Sequence, residues 1–250
     1  MPDKSDSSLV RMLAVLDLFT ERQLAWTAEG IASALQVSLP TGYRYVKLLA
    51  DAGLLQRTPD SQYTLGPRIV VLDHYIRQAD PVLQHGIPFM KELVAQTGLD
   101  CVITSLYGNQ MLDTHRELGS QPATLSYGRG RPRPLFKGAA PKVILSTFAP
   151  PQLRRVFEQH GREAAAAGLP TEWPAFRKYY AAIRRRGWYF SNGELEPELA
   201  ALGAPLLHAE GGVPGAISLV TTVQRMALID LGKLTPLLVR AAQDISARVA

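Results

Sequence analysis

Cysteine is almost missing from this 250-residue chain. Cys101 is the only one, so an internal disulfide and a multi-cysteine metal site are both excluded. No apolar run approaches the ~18 residues that span a bilayer, so no membrane partner is expected. The five histidines, His74, His85, His115, His160 and His208, are scattered, and none has a zinc-ligand spacing such as H-E-x-x-H. A G-x-S-x-G elbow, a phosphate loop and a G-x-G-x-x-G fingerprint are all lacking, and Gly128-Arg129-Gly130 is too short a match to count. The expectation is a protein with no catalytic residues, no metal and no cofactor. The opening residues, Met1 to Asp6, are polar and mixed in charge, unlike a secretory signal. With the cysteine usage they suggest a cytoplasmic location.

What is present fits a globular protein. Apolar residues make up 46% and charged residues 20%, and the length suits one large domain or two ordinary ones. The net charge of +5 leans towards nucleic acid. Its distribution does not. Residues 1–66 carry six Lys and Arg against seven Asp and Glu, a net −1, and the surplus lies downstream around Arg129, Arg131 and Arg133 and in Arg184–Arg186. Any case for DNA binding therefore rests on where charges sit.

Placement supplies that case. Leu9, Met12, Leu13, Leu16 and Phe19 recur at helical spacing and predict a helix from about Ser8 to Thr20. Thr27 is a candidate cap for a second helix, with Glu29 in its first turn. Gln36 and Val37 read as a tight turn. Ser38 is a candidate cap for a third helix running to about Ala52, with Pro40 in its first turn and Gly53 as its stop. Two short helices joined this way make a helix–turn–helix. On the third helix Gly42, Tyr45, Val46 and Leu49 are expected to face inward. Pro40, Tyr43, Arg44 and Lys47, with Thr41 beside them, share the outward face. Leu54–Arg57 and Gln62–Gly66 then read as a hairpin, which directly after a recognition helix is a wing. The candidate DNA contacts are Thr27, Ser38, Pro40, Thr41, Tyr43, Arg44, Lys47, Arg57 and Gln62. The plainer alternatives are a salt bridge for Arg44 and a solvated charge for Lys47.

Pro67 to Asp80 reads as one more helix, ended by Pro81. Beyond it, helical patterns cover about 87–97, 141–148, 152–160, 173–186 and 226–249, with Pro236 implying a kink in the last. Strand patterns cover about 100–107, 111–117, 123–127, 188–191, 202–208 and 214–221, with a hairpin turn at Glu210-Gly211-Gly212. Mixed runs of this kind suggest an α+β domain with an antiparallel sheet. Gly138, Ala139 and Ala140 stand at a helix start, where small residues leave backbone N–H groups open to an anion.

These residues resemble the IclR family of bacterial transcription regulators, over essentially the whole chain. Ser8–Phe19 looks like the family's first helix and Thr41-Gly42-Tyr43-Arg44 its recognition-helix core. Asp51–Leu55 followed by Tyr63–Gly66 looks like its wing. The later blocks Arg186–Tyr189, Glu194–Pro197 and Gly203–Pro205 follow in the family's order. The resemblance implies a winged helix–turn–helix over 1–66, a linker helix over 67–80 and a GAF-like effector-binding domain over 81–250. It also implies double-stranded operator DNA and a small organic-acid effector as partners, and a homodimer or tetramer. In the family the segment at 129–142 lines the effector pocket, where Lys142 matches and Pro141 replaces a usual glycine. An acid and a cysteine of the family's pocket correspond here to Ser191 and Ala201, and a pocket serine to Ser218. The implied ligand-binding residues are Arg129, Gly138, Ala139, Ala140, Ser191, Ala201, Ser218 and Val220. Losing an acid and a thiol makes the pocket less polar, which suits an aromatic acid. The function expected is a ligand-responsive regulator of a catabolic operon. The alternatives are a small-molecule sensor acting through protein contacts and an enzyme whose site shows no local motif.

Overall fold

A computed structural model of the chain describes residues 7–108, 110–207 and 215–249. The chain divides into two compact units, Met1–Asp80 and Pro81–Ala250.

The first unit runs α1 (Ser8–Leu13), a 3-10 turn (Leu16–Leu18), α2 (Ala28–Ala34), α3 (Leu39–Asp51), β1 (Leu55–Arg57), β2 (Tyr63–Leu65) and α4 (Arg68–Ala79). The first helix is shorter than its apolar pattern predicts. Met12, Val15 and Leu18 recur every three residues, as do Leu16 and Phe19, and all five join one core. That period suits the tighter 3-10 turn. The core closes on Ala28, Ile31, Tyr45, Val46, Leu49 and Leu55. At the crossing of α2 and α3, a Cβ on Gly42 would stand 2.6 Å from that of Ala32. Only the absence of a side chain lets the two helices meet there. The wing has an extra tie: Trp26 and Tyr63 exchange backbone hydrogen bonds of 3.0 and 2.7 Å.

The second unit runs α5 (Pro81–Thr97), β3 (Asp100–Tyr107), β4 (Gln110–Glu117), β5 (Pro132–Arg133), α6 (Ala139–Ser146), α7 (Pro150–Ala166), α8 (Trp173–Arg186), β6 (Tyr189–Asn192), β7 (Leu199–Leu206), β8 (Gly215–Thr222), α9 (Val223–Met226) and α10 (Leu231–Val249). The six strands form one antiparallel sheet in the order β5-β4-β3-β8-β7-β6. β6 pairs only with Ala200–Gly203 of β7. Cys101, Ile103, Leu202, Ile217 and Leu219 pack on one side with Met90, Leu93, Leu234 and Ile245 from α5 and α10. Leu106, Met111 and Ala216 pack on the other with Val143, Ile144, Phe176 and Tyr180 from α6 and α8. With both faces covered, β3 and β8 read as nearly continuous buried runs rather than alternating ones.

Two expectations change here. Residues 123–127 are not a strand, because side chains take the place of a ladder. The Ala123 N–H donates to Asp100 at 2.8 Å and its carbonyl accepts from Arg116 at 2.5 Å. The edge strand on β4 is instead Pro132–Arg133. The closing helix breaks before Leu231, where Asp230 accepts the Gly232 N–H at 2.8 Å, while Pro236 lies inside α10. The expected hairpin turn at Glu210-Gly211-Gly212, with His208 and Pro214, falls outside the described residues. Among the described residues no helix is long and apolar enough to cross a membrane, and no three metal-ligating side chains gather.

Candidate functional site

The first candidate site is the outer face of α3. Its inner face is Gly42, Tyr45, Val46 and Leu49, all buried. That fixes Tyr43, Arg44 and Lys47 outward, and all three are exposed. The Arg44 guanidinium lies over the Tyr45 ring, 5.7 Å from its centroid. Thr27 caps α2, accepting the Gly30 N–H at 3.0 Å. Ser38 holds the cap position of α3 without bonding its backbone; its hydroxyl instead lies 2.9 Å from that of Thr41. Pro40 is the second residue of α3 and is exposed. On the wing Arg57 is exposed and donates to Ser61 Oγ at 2.9 Å, and Gln62 is half-buried.

Glu29 enters this face unannounced by the sequence. Its carboxylate accepts from the Tyr43 hydroxyl. The bond lowers the Glu29 carboxyl and raises the Tyr43 phenol from their ordinary ranges. The outer face thus carries an acid among its bases.

The second candidate site lies where the sheet meets α6. Strand register sets Ser191, Ala201, Val220 and Asp100 in one cross-strand row, with Tyr189, Gly203, Ser218 and Val102 in another. Four of the expected ligand residues, Ser191, Ala201, Ser218 and Val220, are thereby brought onto two rows of one sheet. Gly138, at φ +92° in a region open to glycine, leads into Ala139 and Ala140 of the first turn of α6, all buried. A Cβ on Gly203 would meet both the Ala139 Cβ and Ser218 Oγ at 3.0 Å, so bare backbone lets α6 lie close to the sheet. Ser218 Oγ is buried and meets no hydrogen-bond partner among the described residues. Arg129 is exposed; the inward arginine of its segment is Arg133, 3.1 Å from Asp113. Burial raises the Asp113 carboxyl above its usual range, against the pull of Arg133 and of Thr104, which donates to it at 2.7 Å.

The charged centre of this site is Lys142. All eight residues of α6 are buried, and Lys142 is the one charge among them. A buried ammonium needs partners. Lys142 Nζ donates to Glu194 at 2.5 Å and to the Tyr189 hydroxyl at 3.0 Å, and sits over the Tyr189 ring at 4.6 Å. Tyr189 in turn donates to Glu194 at 2.8 Å and accepts from Tyr179 at 3.2 Å. Burial, then Tyr179 and Glu194, push the Tyr189 phenol well up, so it stays a donor. The Gly138 N–H also donates to Glu194, at 3.2 Å. A cleft of about 480 Å³ in this unit lies apart from the cluster, lined by residues such as Ser146, Arg184, Pro205 and Gln243.

A winged helix–turn–helix joined to an α+β unit with a buried polar face defines a DNA-binding transcription regulator. Two family descriptions match the chain: IclR helix-turn-helix domain over residues 8–59, and Bacterial transcriptional regulator IclR C-terminal over residues 74–247. The chain belongs to the IclR family. It is 25% identical over 244 residues to the HTH-type transcriptional regulator KipR of Bacillus subtilis, covering 98% of this chain and 97% of that protein. It is 24% identical over 247 residues to the p-hydroxybenzoate hydroxylase transcriptional activator of Acinetobacter baylyi, covering 96% of this chain and 90% of that protein. A crystal structure of an IclR homolog complexed with 4-hydroxybenzoate, from Microbacterium hydrocarbonoxydans, superposes with a TM-score of 0.75 at 21% identity, over 97% of this chain and 99% of that one. These relatives are regulators of transcription, and so is this chain, rather than an enzyme.

Proposed function

We propose that this regulator senses a small organic acid, and that an aromatic acid suits it best. The observation that carries this reading is the convergence of the Gly138 N–H, Lys142 Nζ and the Tyr189 hydroxyl on one carboxylate at the start of α6. A helix N-terminus with an ammonium beside it is an anion site. The aromatic preference draws on the apolar Ala139, Ala140, Ala201 and Val220, and on the relatives named for p-hydroxybenzoate and solved with 4-hydroxybenzoate. The regulated genes are then those of a catabolic operon. In this reading 1–66 binds DNA, 67–80 links and 81–250 senses. A ligand changes DNA affinity only by binding two arrangements of the protein unequally.

The DNA-binding residues follow the outer face of α3: Tyr43, Arg44 and Lys47 with Pro40 and Thr41, the helix ends at Thr27 and Ser38, and Arg57 and Gln62 of the wing. Fluorescence anisotropy with the DNA upstream of its own gene tests both halves. Arg44→Ala is expected to abolish specific binding yet leave 4-hydroxybenzoate binding intact by calorimetry. Unchanged DNA binding by that variant would overturn the assignment of the recognition face. Tight binding of glyoxylate or pyruvate, with none of aromatic acids, would overturn the ligand class.

A further inference from the structure

The anion site at the start of α6 already holds a carboxylate, and that carboxylate belongs to the protein. We propose that Glu194 is a resident stand-in for a ligand carboxylate, and that an external acid enters only when Glu194 leaves. The inference rests on the effector reading above for the identity of the natural acid, but not for the site itself.

Three donors meet on Glu194: the Gly138 N–H at 3.2 Å, Lys142 Nζ at 2.5 Å and the Tyr189 hydroxyl at 2.8 Å. This is the donor set an acid ligand requires. Beside it stand two buried hydroxyls, Ser218 Oγ and Tyr180 Oη, each with no hydrogen-bond partner among the described residues. Ser218 borders Ala139 in the first turn of α6, both lying 3.0 Å from the point where a Gly203 Cβ would be. Tyr180 lies close enough to Glu194 for that charge to raise its phenol further, after burial and Tyr179. The set satisfies Glu194 but leaves groups idle that a larger acid would engage.

Glu194 is also placed to move. Its side chain is 25% exposed while that of Lys142 is 5% exposed. It rides on the turn after β6, whose Gly193 takes φ +68°. Two residues on, Glu196 accepts both the N–H and the hydroxyl of Ser126 at 3.0 Å. Expelling Glu194 would therefore pull on a latch to the segment around Ser126. A tethered carboxylate competes at high effective concentration, so it lowers the apparent affinity of any acid and sets the threshold of the response.

Acetate is the probe, because it replaces the carboxylate that Glu194→Ala removes. In thermal melts of the full chain, sodium acetate is expected to stabilise Glu194→Ala saturably over sodium chloride at equal ionic strength, and to leave the unsubstituted protein unmoved. Calorimetry with 4-hydroxybenzoate is expected to show about tenfold tighter binding to the variant. If Glu194→Ala does not fold, Glu194→Gln keeps the shape and loses the charge, and the same acetate-specific stabilisation is expected of it. The proposal is overturned, and Glu194 is a structural partner of Lys142 only, if acetate acts like chloride on whichever variant folds. Acetate rescue with no aromatic acid or oxoacid binding to any form would uphold the resident carboxylate and overturn the effector reading instead.

Discussion

Tyr43 does not stand alone on the exposed face of α3, since its hydroxyl is tied to Glu29. On the face proposed to contact DNA an acid opposes phosphate, and the N-terminal 66 residues have no charge surplus to offset it. Glu29→Gln keeps the hydrogen bond and removes the charge. It is expected to strengthen DNA binding severalfold at low salt, with the gain shrinking as salt rises, in anisotropy titrations. Asp100 works by a different rule. It is 1% exposed and accepts from Gly119 N, Ala123 N and Arg116, which together hold the segment after β4 against the sheet. Removing one partner of a buried pair strands the rest. Asp100→Ala is expected to cost about 3–5 kcal/mol in urea denaturation.

Among the elements, α2 and α3 are tied together by a missing side chain. Gly42→Ala would drive a Cβ to 2.6 Å from Ala32 Cβ, so the helices must part. A destabilisation of about 1–3 kcal/mol is expected in the unfolding of the DNA-binding unit, with specific DNA binding weakened alongside. Elements with a strong apolar period were legible in the sequence: α3 and α8 fall where their patterns put them. The segment at 123–127 has strand-like residues, but Asp100 and Arg116 claim its backbone, and that competition is invisible in a local window. β5 is two residues long and offers no pattern at all. The α6 site was half legible. Small residues at a helix start and a lysine inside an apolar run are local signals. Their partner Glu194 lies 52 residues from Lys142, and only the fold brings them together. Strand register, not sequence adjacency, likewise gathers Ser191, Ala201 and Val220 in one row.

For the whole molecule, the exposed apolar groups of the first unit matter most. α4 buries none of its residues, and Val70, Tyr75 and Ile76 are each more than half exposed, as are Leu9 and Leu13 of α1. We read these as the surfaces on which two copies pair, which would place two recognition helices on two half-sites. Sedimentation is expected to show dimers or larger species, and Ile76→Glu to shift them towards monomer while weakening operator binding more than tenfold. In the second unit one margin of the sheet is closed to another mode of association. The pairing of β6 with β7 reaches only Gly203, so Ala204–Leu206 of β7 lie beyond it, and Pro205 among them has no N–H to offer a further strand. A strand from another copy therefore finds no complete ladder along that stretch of β7, which bars strand-by-strand stacking there.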